Sequence, residues 1–274
     1  MDFDIRTFDT AYYSLLDLLQ MTGEKFVEEY YINCEADFTQ LWDRHFTQIN
    51  QIDISHIRFL LLPKVSPCAI HAFNYLRSRG LDEEIIHFCF QSGRIHESLP
   101  YHNVVFVGLD KYNKPRYANL RGIGTDFIGD ANGSDKRFSF SIPAQSSTTL
   151  HLFESAIDLL SYATLVKQHG GNWQRDHLVS LAGVYKPKEN LQESSLPLTL
   201  KRYLTEYPNI QKIILRLDND RTGGYMANAL VALLSDKYVV SVQPPPSGKD
   251  YNDYLCMRLG LPITYRKGKT QERC

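Results

Sequence analysis

The stretch IILRLDNDRTGG, residues 213–224, decides how this chain is interpreted. The run IILRL has the composition of a strand that passes through a core, and it ends directly in Asp218, Asn219 and Asp220. Two carboxylates at the end of an apolar strand are costly unless water, a cation or a metal compensates their charge. The question raised by the stretch is therefore what Asp218 and Asp220 hold.

The residues around this stretch alternate between predicted strands and predicted helices. The strands are TLHLFES, HLVSLAG, KIILRLDND and YVVSVQPP, and each is followed by a segment of helical composition. This alternation predicts a parallel sheet with crossover helices. Such sheets bind ligands at the carboxyl ends of their strands. Glu154 also follows a strand, so we expect Glu154, Asp218 and Asp220 to be neighbours in space.

Three carboxylates at one sheet edge repel one another unless a divalent cation is bound. Oxygen ligands suit a hard cation such as Mg²⁺, which keeps open positions for phosphate oxygens in polymerases and nucleases. A structural alternative exists for each residue alone. An Asp after a strand often forms a turn or caps the next helix, and Glu154 would favour a helix start through the dipole. The joint pattern favours the metal site.

Two further regions precede this alternation. Residues 9–48 have helical periodicity, most clearly in DTAYYSLLDLLQMTG. From residue 67, PCAIHAFNYLRSRGLDEEIIHFCFQSG predicts two short helices around Gly80, with Asp82 as an N-cap. The strands VVFVGLD, KPRYANLRGI and RFSFSI follow, separated by polar turns. The predicted organisation is a helical segment at 1–62, a basic α/β subdomain at 63–147, an α/β domain at 148–262 and a tail at 263–274.

The charge distribution allows a nucleic-acid partner without requiring one. The net charge is −1, which excludes a global basic field but not a local basic groove. Residues 111–137 contain six Lys or Arg against three Asp. Tyr101, Tyr112 and Tyr117 lie close by, and each is interpreted either as a platform for base stacking or as a packing residue.

The cysteines and histidines give no sign of a zinc module. The five cysteines include no C-x-x-C pair, which argues against a zinc ribbon or a disulfide framework and favours reduced thiols in the cytoplasm. The nine histidines show no zinc-ligand spacing and are interpreted as surface or core residues. The N-terminal MDFDIRTFDT lacks the apolar core of a signal peptide, and no apolar run approaches a membrane span, so no membrane association is expected.

Residues 149–259 resemble a Toprim domain, the catalytic module shared by bacterial primases, topoisomerases and some nucleases. Four motifs carry the resemblance and occur in the family's order. They are Glu154 in HLFESAID, Asp218 and Asp220 in LRLDNDRTGG, the following Arg221 with Gly223 and Gly224, and Gly248, Lys249, Asp250 and Asp253 in PSGKDYNDYL. One departure is Ser155, where many members have Gly.

The upstream half resembles the catalytic core of bacterial DNA primases. AFNYLRSRGLDEEIIHFCFQSG is similar to a primase segment of two helices around an Arg-Gly turn, and VVFVGLD, RYANLRGIG and SDKRFSFSIP resemble the strands of its basic subdomain. The cysteine–histidine zinc module that precedes the core in replicative primases is not expected in this chain. The combination also resembles uncharacterised Toprim proteins of mobile elements.

The resemblance implies a Toprim, Rossmann-like parallel sheet in a mixed α/β chain, and Mg²⁺-dependent (or Mn²⁺-dependent) nucleotidyl transfer on a single-stranded DNA template. It also implies roles for ten residues. Glu154, Asp218 and Asp220 would be catalytic and, together with Asp250, would bind metal. The residues that would contact nucleotide or nucleic acid are Arg121, Lys136, Arg221 and Lys249. Asp158 and Asp253 would support the site.

Two alternatives to the primase-like activity stay open. A Toprim nuclease would use the same carboxylates to activate water, and motifs alone do not separate the two reactions. A DNA-binding accessory protein of a mobile element would have a site without activity. The expected partners are single-stranded DNA or RNA, nucleotides, and a helicase or another replication or mobilisation protein.

Overall fold

A computed structural model describes residues 60–181 and 195–263. The helical segment expected at residues 9–48 and the tail from residue 264 lie outside the described residues. Within the described ranges, none of the helices has the length and apolar character that a membrane crossing requires. Cys68, Cys89 and Cys256 are free thiols.

The N-terminal part of the described chain is a four-stranded antiparallel sheet preceded by two helices, as the sequence predicts in outline. Asp82 caps the second helix by accepting a hydrogen bond from the backbone N–H of Glu84 at 2.9 Å. The strands have the order β1-β2-β3-β4. The elements are α1 (Ile70–Ser78), α2 (Glu83–Gln91), β1 (Ile95–Glu97), β2 (Val104–Leu109), β3 (Pro115–Arg121) and β4 (Ile128–Asp130).

The C-terminal part is a five-stranded sheet with the order β5-β7-β6-β8-β9. The strands β7, β6, β8 and β9 are parallel to one another, and β5 is antiparallel to β7. The predicted alternation of strands and helices is confirmed. The elements are β5 (Ser141–Ile142), β6 (Thr149–Phe153), α3 (Ala156–Gln168), β7 (His177–Ser180), α4 (Leu198–Glu206), β8 (Lys212–Leu215), α5 (Arg221–Leu234), β9 (Val239–Val242) and α6 (Tyr251–Leu259).

Two strands differ from their predicted extent. The stretch RFSFSI was expected to extend the basic subdomain, but only Ser141–Ile142 is a strand, and it pairs with β7 of the five-stranded sheet. Burial of Phe140 and Ile142 explains the difference, because both side chains belong to the core beside that sheet. The stretch KIILRLDND ends as a strand at Leu215, so both aspartates lie in the loop that follows it.

The five-stranded sheet is covered by apolar side chains on both faces. On one face, Leu150 and Leu152 of β6 pack with residues of α4 and α5. On the other face, Phe153 and Leu178 pack with α3 and α6, and the same cluster includes Phe106 of the small sheet and residues of α1 and α2. The two sheets therefore share one of the apolar clusters.

Polar contacts join α1 to the start of α6 beside this core. The Arg79 guanidinium donates through Nε to Asn252 Oδ1 at 2.6 Å, and Asn252 Nδ2 donates to the Arg79 carbonyl at 2.8 Å. Asn252 is 1% exposed, so these bonds are shielded from water. The end of α1 is thereby fixed to the helix that follows the Gly-Lys-Asp motif.

Truncation of the central strand should destabilise the whole described unit. Leu152→Ala removes a fully buried side chain from β6 and should lower the free energy of unfolding by about 2–5 kcal/mol. The control is Val242→Ala on the edge strand β9, where the side chain is 47% exposed and the expected change is within about 0.5 kcal/mol. Urea unfolding in EDTA measures both. Equal losses would contradict this description of the core.

Candidate active site

Adjacent parallel strands bring the predicted acidic residues to one edge of the sheet. Glu154 directly follows β6, and Asp218 and Asp220 follow β8, which pairs with β6. The backbone N–H of Asp218 donates to Glu154 Oε1 at 3.0 Å, although the two residues are 64 positions apart. The structure therefore brings together the first two motifs of the sequence.

Asp220 has a structural function in addition to its charge. It is the N-cap of α5, and its Oδ1 accepts a hydrogen bond from the backbone N–H of Gly223 at 2.9 Å. The capping alternative considered for this residue type is thus confirmed for Asp220. Its other oxygen, Oδ2, points toward the Lys249 ammonium at 3.6 Å. One carboxylate therefore begins the helix and also contributes negative charge to the site.

Lys249 places its ammonium between the two aspartates. Its Nζ lies 3.0 Å from Asp218 Oδ2 and 3.6 Å from Asp220 Oδ2, and the lysine side chain is 57% exposed. A 2.6 Å hydrogen bond from the Asn219 N–H to the Lys249 carbonyl joins the loops that follow β8 and β9. Partial burial would lower the pKa of Lys249, but the hydrogen bond to Asp218 and the surrounding carboxylates raise it to about 12.

The two carboxylates that follow β6 and β8 ionise less readily than usual. Burial, followed by the charges of Asp218 and Asp220, raises the pKa of Glu154 to about 7, against the hydrogen bond from the Asp218 N–H and the charge of Lys249. Burial also raises the pKa of Asp218, against the hydrogen bond and charge of Lys249. Burial is the largest cause of both shifts and the charges of neighbouring carboxylates add to it, so a further cation beside these groups would be stabilised.

Asp250 and Asp253 organise the loop that carries Lys249. Asp250 is the N-cap of α6 and accepts the N–H of Asp253 at 2.7 Å. Asp253 Oδ2 accepts the N–H of Lys249 at 3.2 Å, which turns the loop back toward the sheet edge. The charge of Asp250 contributes to the raised pKa of Asp218, so this carboxylate acts on the same site.

Asp158 is buried beneath these loops, on the first turn of α3. It accepts hydrogen bonds from the Ser155 hydroxyl at 2.5 Å and from the Asn252 N–H at 3.3 Å. Burial, then the charges of Asp250 and Asp218, raises the pKa of Asp158 well above its usual range. Ser155 in turn caps α3 with an extended backbone (φ −131°), so the Ser at this departure from the family pattern is accommodated without the conformational freedom of Gly.

The donor set fits a hard divalent cation that keeps part of its water shell. The acidic side chains offer only oxygen atoms, and Mg²⁺ is commonly held by one or two carboxylates plus water and phosphate oxygens. The carboxylate oxygens of these acidic residues do not converge closely on a single point. Within residues 60–181 and 195–263, the one group of three ligand side chains whose atoms all lie within 4.8 Å of one another is His71, Glu97 and His102.

The predicted basic contacts lie mainly on the small sheet and are partly neutralised there. Arg121 is half-buried at the end of β3, opposite Val104. Lys136 is exposed in the loop after β4, with its Nζ 3.3 Å from Asp130 Oδ2. Arg137 pairs with Asp135 in the same way, at 2.6 Å.

Arg221 and the three tyrosines fall into different environments. Arg221 is exposed at the first residue of α5. Tyr101 and Tyr112 are 80% and 60% exposed, which suits stacking on a base. Tyr117 is buried and donates its hydroxyl to Asp130 at 2.6 Å, so it is a packing residue.

Sequence reasoning overlooked Arg216, which lies inside the quoted stretch. Its guanidinium donates to His151 Nδ1 at 2.8 Å and to the Tyr251 hydroxyl at 2.6 Å, and it stacks on the Tyr162 ring at 4.0 Å. Burial and the Arg216 charge lower the pKa of His151 to about 4. The available signal was an arginine within the apolar run IILRL, because even a half-buried guanidinium requires several acceptors.

A matched pair of glycine substitutions tests the turn that carries the aspartates. A Cβ at Gly223 would lie 2.1 Å from the Asp218 carbonyl oxygen, whereas a Cβ at Gly224 meets nothing within 4 Å. Gly223→Ala should lower the free energy of unfolding by about 1–3 kcal/mol. Gly224→Ala should leave it unchanged or raise it by up to about 1 kcal/mol, because Ala favours helix. Similar urea midpoints for both variants would contradict the close approach.

The raised pKa of Glu154 predicts a pH dependence of stability in EDTA. The folded chain keeps the Glu154 proton up to about pH 7, whereas the unfolded chain loses it near pH 4.5. The free energy of unfolding contributed by this group should therefore fall as pH rises through that window. Glu154→Gln cannot ionise and should flatten this part of the profile. Glu83→Gln, at an exposed residue of α2, should follow the parent profile; if Glu154→Gln also follows it, the shift is absent.

Comparisons with known proteins find a family model that matches each of the two described parts. Residues 151–255 match a family model described as Toprim-like, and residues 74–146 match a model described as a protein of unknown function (DUF3991). A 65 kDa protein of Zymomonas mobilis is 28% identical over 186 residues, covering 62% of this chain. This chain spans 29% of the length of that relative.

Solved primase structures are also similar to this chain. The primase fragment of the bacteriophage T7 primase-helicase protein is 18% identical, with 69% of each chain covered and a TM-score of 0.49. The Escherichia coli primase catalytic core is 17% identical, with 70% of each chain covered and a TM-score of 0.45. From the family model and from the strand order that positions its motifs, residues 151–255 of this chain form a Toprim-like domain.

Proposed function

We propose that this chain is a divalent-metal-dependent enzyme of nucleic-acid phosphoryl transfer, with primase-like nucleotidyl transfer as its reaction. The observation that carries the proposal is the meeting of three motifs in a Toprim-like domain. Glu154 and Asp218 are joined by a hydrogen bond at one sheet edge, and Lys249 lies between Asp218 and Asp220.

The acidic residues and Lys249 have complementary roles in this proposal. Asp218 and Asp220 hold the divalent cation, with Asp250 as a further ligand and Asp158 and Asp253 fixing the loops. When bound, Mg²⁺ or Mn²⁺ would supply positive charge to the phosphate oxygens during an in-line displacement. Lys249 is more than half exposed, so its flexible side chain can exchange the aspartates for a phosphate.

Glu154 is suited to proton transfer near neutral pH. A general base works best when its pKa lies near the operating pH, and in the metal-free chain burial and the charges of Asp218 and Asp220 raise the pKa of Glu154 to about 7. In the proposed reaction Glu154 accepts the proton of the attacking hydroxyl. A nucleotide hydroxyl that attacks the α-phosphorus of a triphosphate and displaces pyrophosphate gives primer synthesis, whereas water that attacks a phosphodiester and displaces a nucleotide hydroxyl gives cleavage.

The small sheet and its loops form the proposed binding surface, or track, for single-stranded nucleic acid. Lys136 and Arg137 form ion pairs in which the basic partners are 56% and 57% exposed. Exposed pairs of this kind contribute only about 0–1 kcal/mol, so nucleic-acid phosphates can replace Asp130 and Asp135 as partners. Exposed Tyr101 and Tyr112 offer stacking surfaces on the same part of the chain. Arg121 and Arg221 complete the proposed contacts.

A double substitution tests the acidic site most directly. Asp218→Asn with Asp220→Asn should abolish metal-dependent chemistry while the fold survives, because Asn caps a helix about as well as Asp. The assay combines the protein with single-stranded DNA, Mg²⁺ or Mn²⁺ and labelled nucleotides. Gel analysis then distinguishes extension, cleavage and no reaction.

Thermal melting supplies the control for this variant. In EDTA the double variant should melt close to the parent chain, and Mg²⁺ should stabilise the parent chain more than the variant. If the variant melts much lower than the parent chain in EDTA and is stabilised by Mg²⁺ as much as the parent chain, the aspartates have only a structural role. Cleavage without extension by the parent chain would favour the nuclease.

Neutralising the proposed track should reduce the salt dependence of single-strand binding. Arg121→Gln with Lys136→Gln should lower the slope of log affinity against log salt by about 0.7 for each lost phosphate contact. The matched control is Lys212→Gln, an exposed lysine at the amino end of β8, opposite the acidic edge. Fluorescence anisotropy across a salt series measures both slopes. If the double variant keeps the parent slope, the small sheet is not the track.

A further inference from the structure

A second cluster of ligand side chains lies in the small subdomain, at residues whose spacing along the chain does not match a zinc motif. His71 is in the first turn of α1, Glu97 ends β1, and His102 lies in the loop between β1 and β2. One ligand atom of each lies within 4.8 Å of the other two. Separations of 26 and 5 residues along the chain explain why no motif was visible.

Glu97 is held at the centre of this cluster. Its side chain is fully buried, and Oε2 accepts the backbone N–H of Ala72 at 2.9 Å. Its other oxygen, Oε1, lies 3.1 Å from His71 Nδ1 and 2.5 Å from His102 Nδ1. A buried carboxylate requires compensation, and here both imidazoles face the same oxygen.

We propose that His71, Glu97 and His102 bind a divalent transition metal of the zinc class, at a site distinct from the acidic edge. Two imidazole nitrogens and one carboxylate oxygen are a donor set that Zn²⁺ takes in proteins, with further positions left to water. The hard Mg²⁺ prefers oxygen ligands, so the two sites select different cations.

The spacing of the donor atoms suits a small ion. Bonds of about 2.0–2.2 Å in a tetrahedral complex place ligand atoms roughly 3.3 Å apart. The His71 distance of 3.1 Å is already close to this value, and the His102 ring needs to move outward from 2.5 Å. Both rings can adjust, since the His71 and His102 side chains are 57% and 42% exposed. The Ala72 N–H meanwhile keeps the carboxylate in place, as hydrogen bonds to metal ligands commonly do.

Such a metal would fasten the start of the small subdomain. The segment before α1 pairs with the residues after β1, through the Ser66 N–H to the Glu97 carbonyl at 2.8 Å and the Leu99 N–H to the Lys64 carbonyl at 2.7 Å. The metal would join α1 to the same loop by side chains. Tyr101, which is 80% exposed, precedes His102 directly, so metal binding would also restrain a proposed stacking residue.

Zinc titration of the full chain after removal of metals by a chelator tests the proposal. The parent chain should bind one Zn²⁺ and melt at a higher temperature with it. His71→Ala with His102→Ala should weaken Zn²⁺ binding by at least about 100-fold, more than the 10–100-fold typical for loss of an outer hydrogen bond. In EDTA the variant should melt below the parent chain, because the buried Glu97 carboxylate loses both imidazole partners, so the Zn²⁺-induced shift is measured from each chain's own melting temperature in EDTA. Co²⁺ in place of Zn²⁺ should give a spectrum of nitrogen and oxygen ligands without a thiolate band.

Three controls separate this site from other metal-binding groups. His87→Ala, an exposed histidine of α2, should leave Zn²⁺ binding unchanged. The same holds for Cys68→Ser, an exposed thiol three residues before His71, and for Asp218→Asn with Asp220→Asn. The proposal is overturned if the parent chain binds no Zn²⁺ at micromolar concentration, if the double-histidine variant binds like the parent chain, or if Cys68→Ser alone removes binding. A cluster that is only hydrogen-bonded would give the first of these results.

Discussion

The hydrogen bond from the Asp218 N–H to the Glu154 carboxylate is the contact on which the candidate site depends. It joins the ends of two neighbouring parallel strands, β6 and β8, just beyond the last residues of their ladder. Because a backbone donor makes the bond, the direction of the loop after β8 is fixed together with the position of Glu154. Asp220 then caps α5 by accepting the Gly223 N–H, and the Asn219 N–H donates to the carbonyl of Lys249 in the neighbouring loop. One arrangement of the backbone therefore determines the position of the charged side chains, the capping of α5 and the course of the loops after β8 and β9.

Much of this arrangement could be predicted from the sequence because its signals are local. Alternating strands and helices implied a parallel sheet, and the topology of such sheets brings the residues after β6 and β8 to one edge. The second helix start at Asp82 was predictable for the same reason, since capping depends on a few adjacent residues. The predicted domain boundaries at 63–147 and 148–262 stay predictions. The antiparallel pairing of Ser141–Ile142 with β7 shows that the strand before residue 148 serves the larger sheet.

The features that sequence did not predict arise from contacts distant along the chain. Lys249 was expected to touch phosphate, and its place between Asp218 and Asp220 depends on a loop approach that no local pattern encodes. The basic patch was inferred from composition, but Lys136 and Arg137 have acidic partners nearby that partly cancel their charge. The cluster of His71, Glu97 and His102 forms only when α1 packs beside β1, so ligand spacing along the sequence could not reveal it. Arg216 had a visible signal, but its partners come from three separate elements.

The position of Lys249 makes the acidic edge a site with its own resident counter-ion. The ammonium offsets part of the repulsion between the aspartates. An incoming metal ion must therefore compete with a tethered charge that is always present at high local concentration. Under the proposed function, a triphosphate would change that competition, since its phosphates would attract the lysine and carry bound metal into the site. Metal and nucleotide would then bind cooperatively, each strengthening the binding of the other.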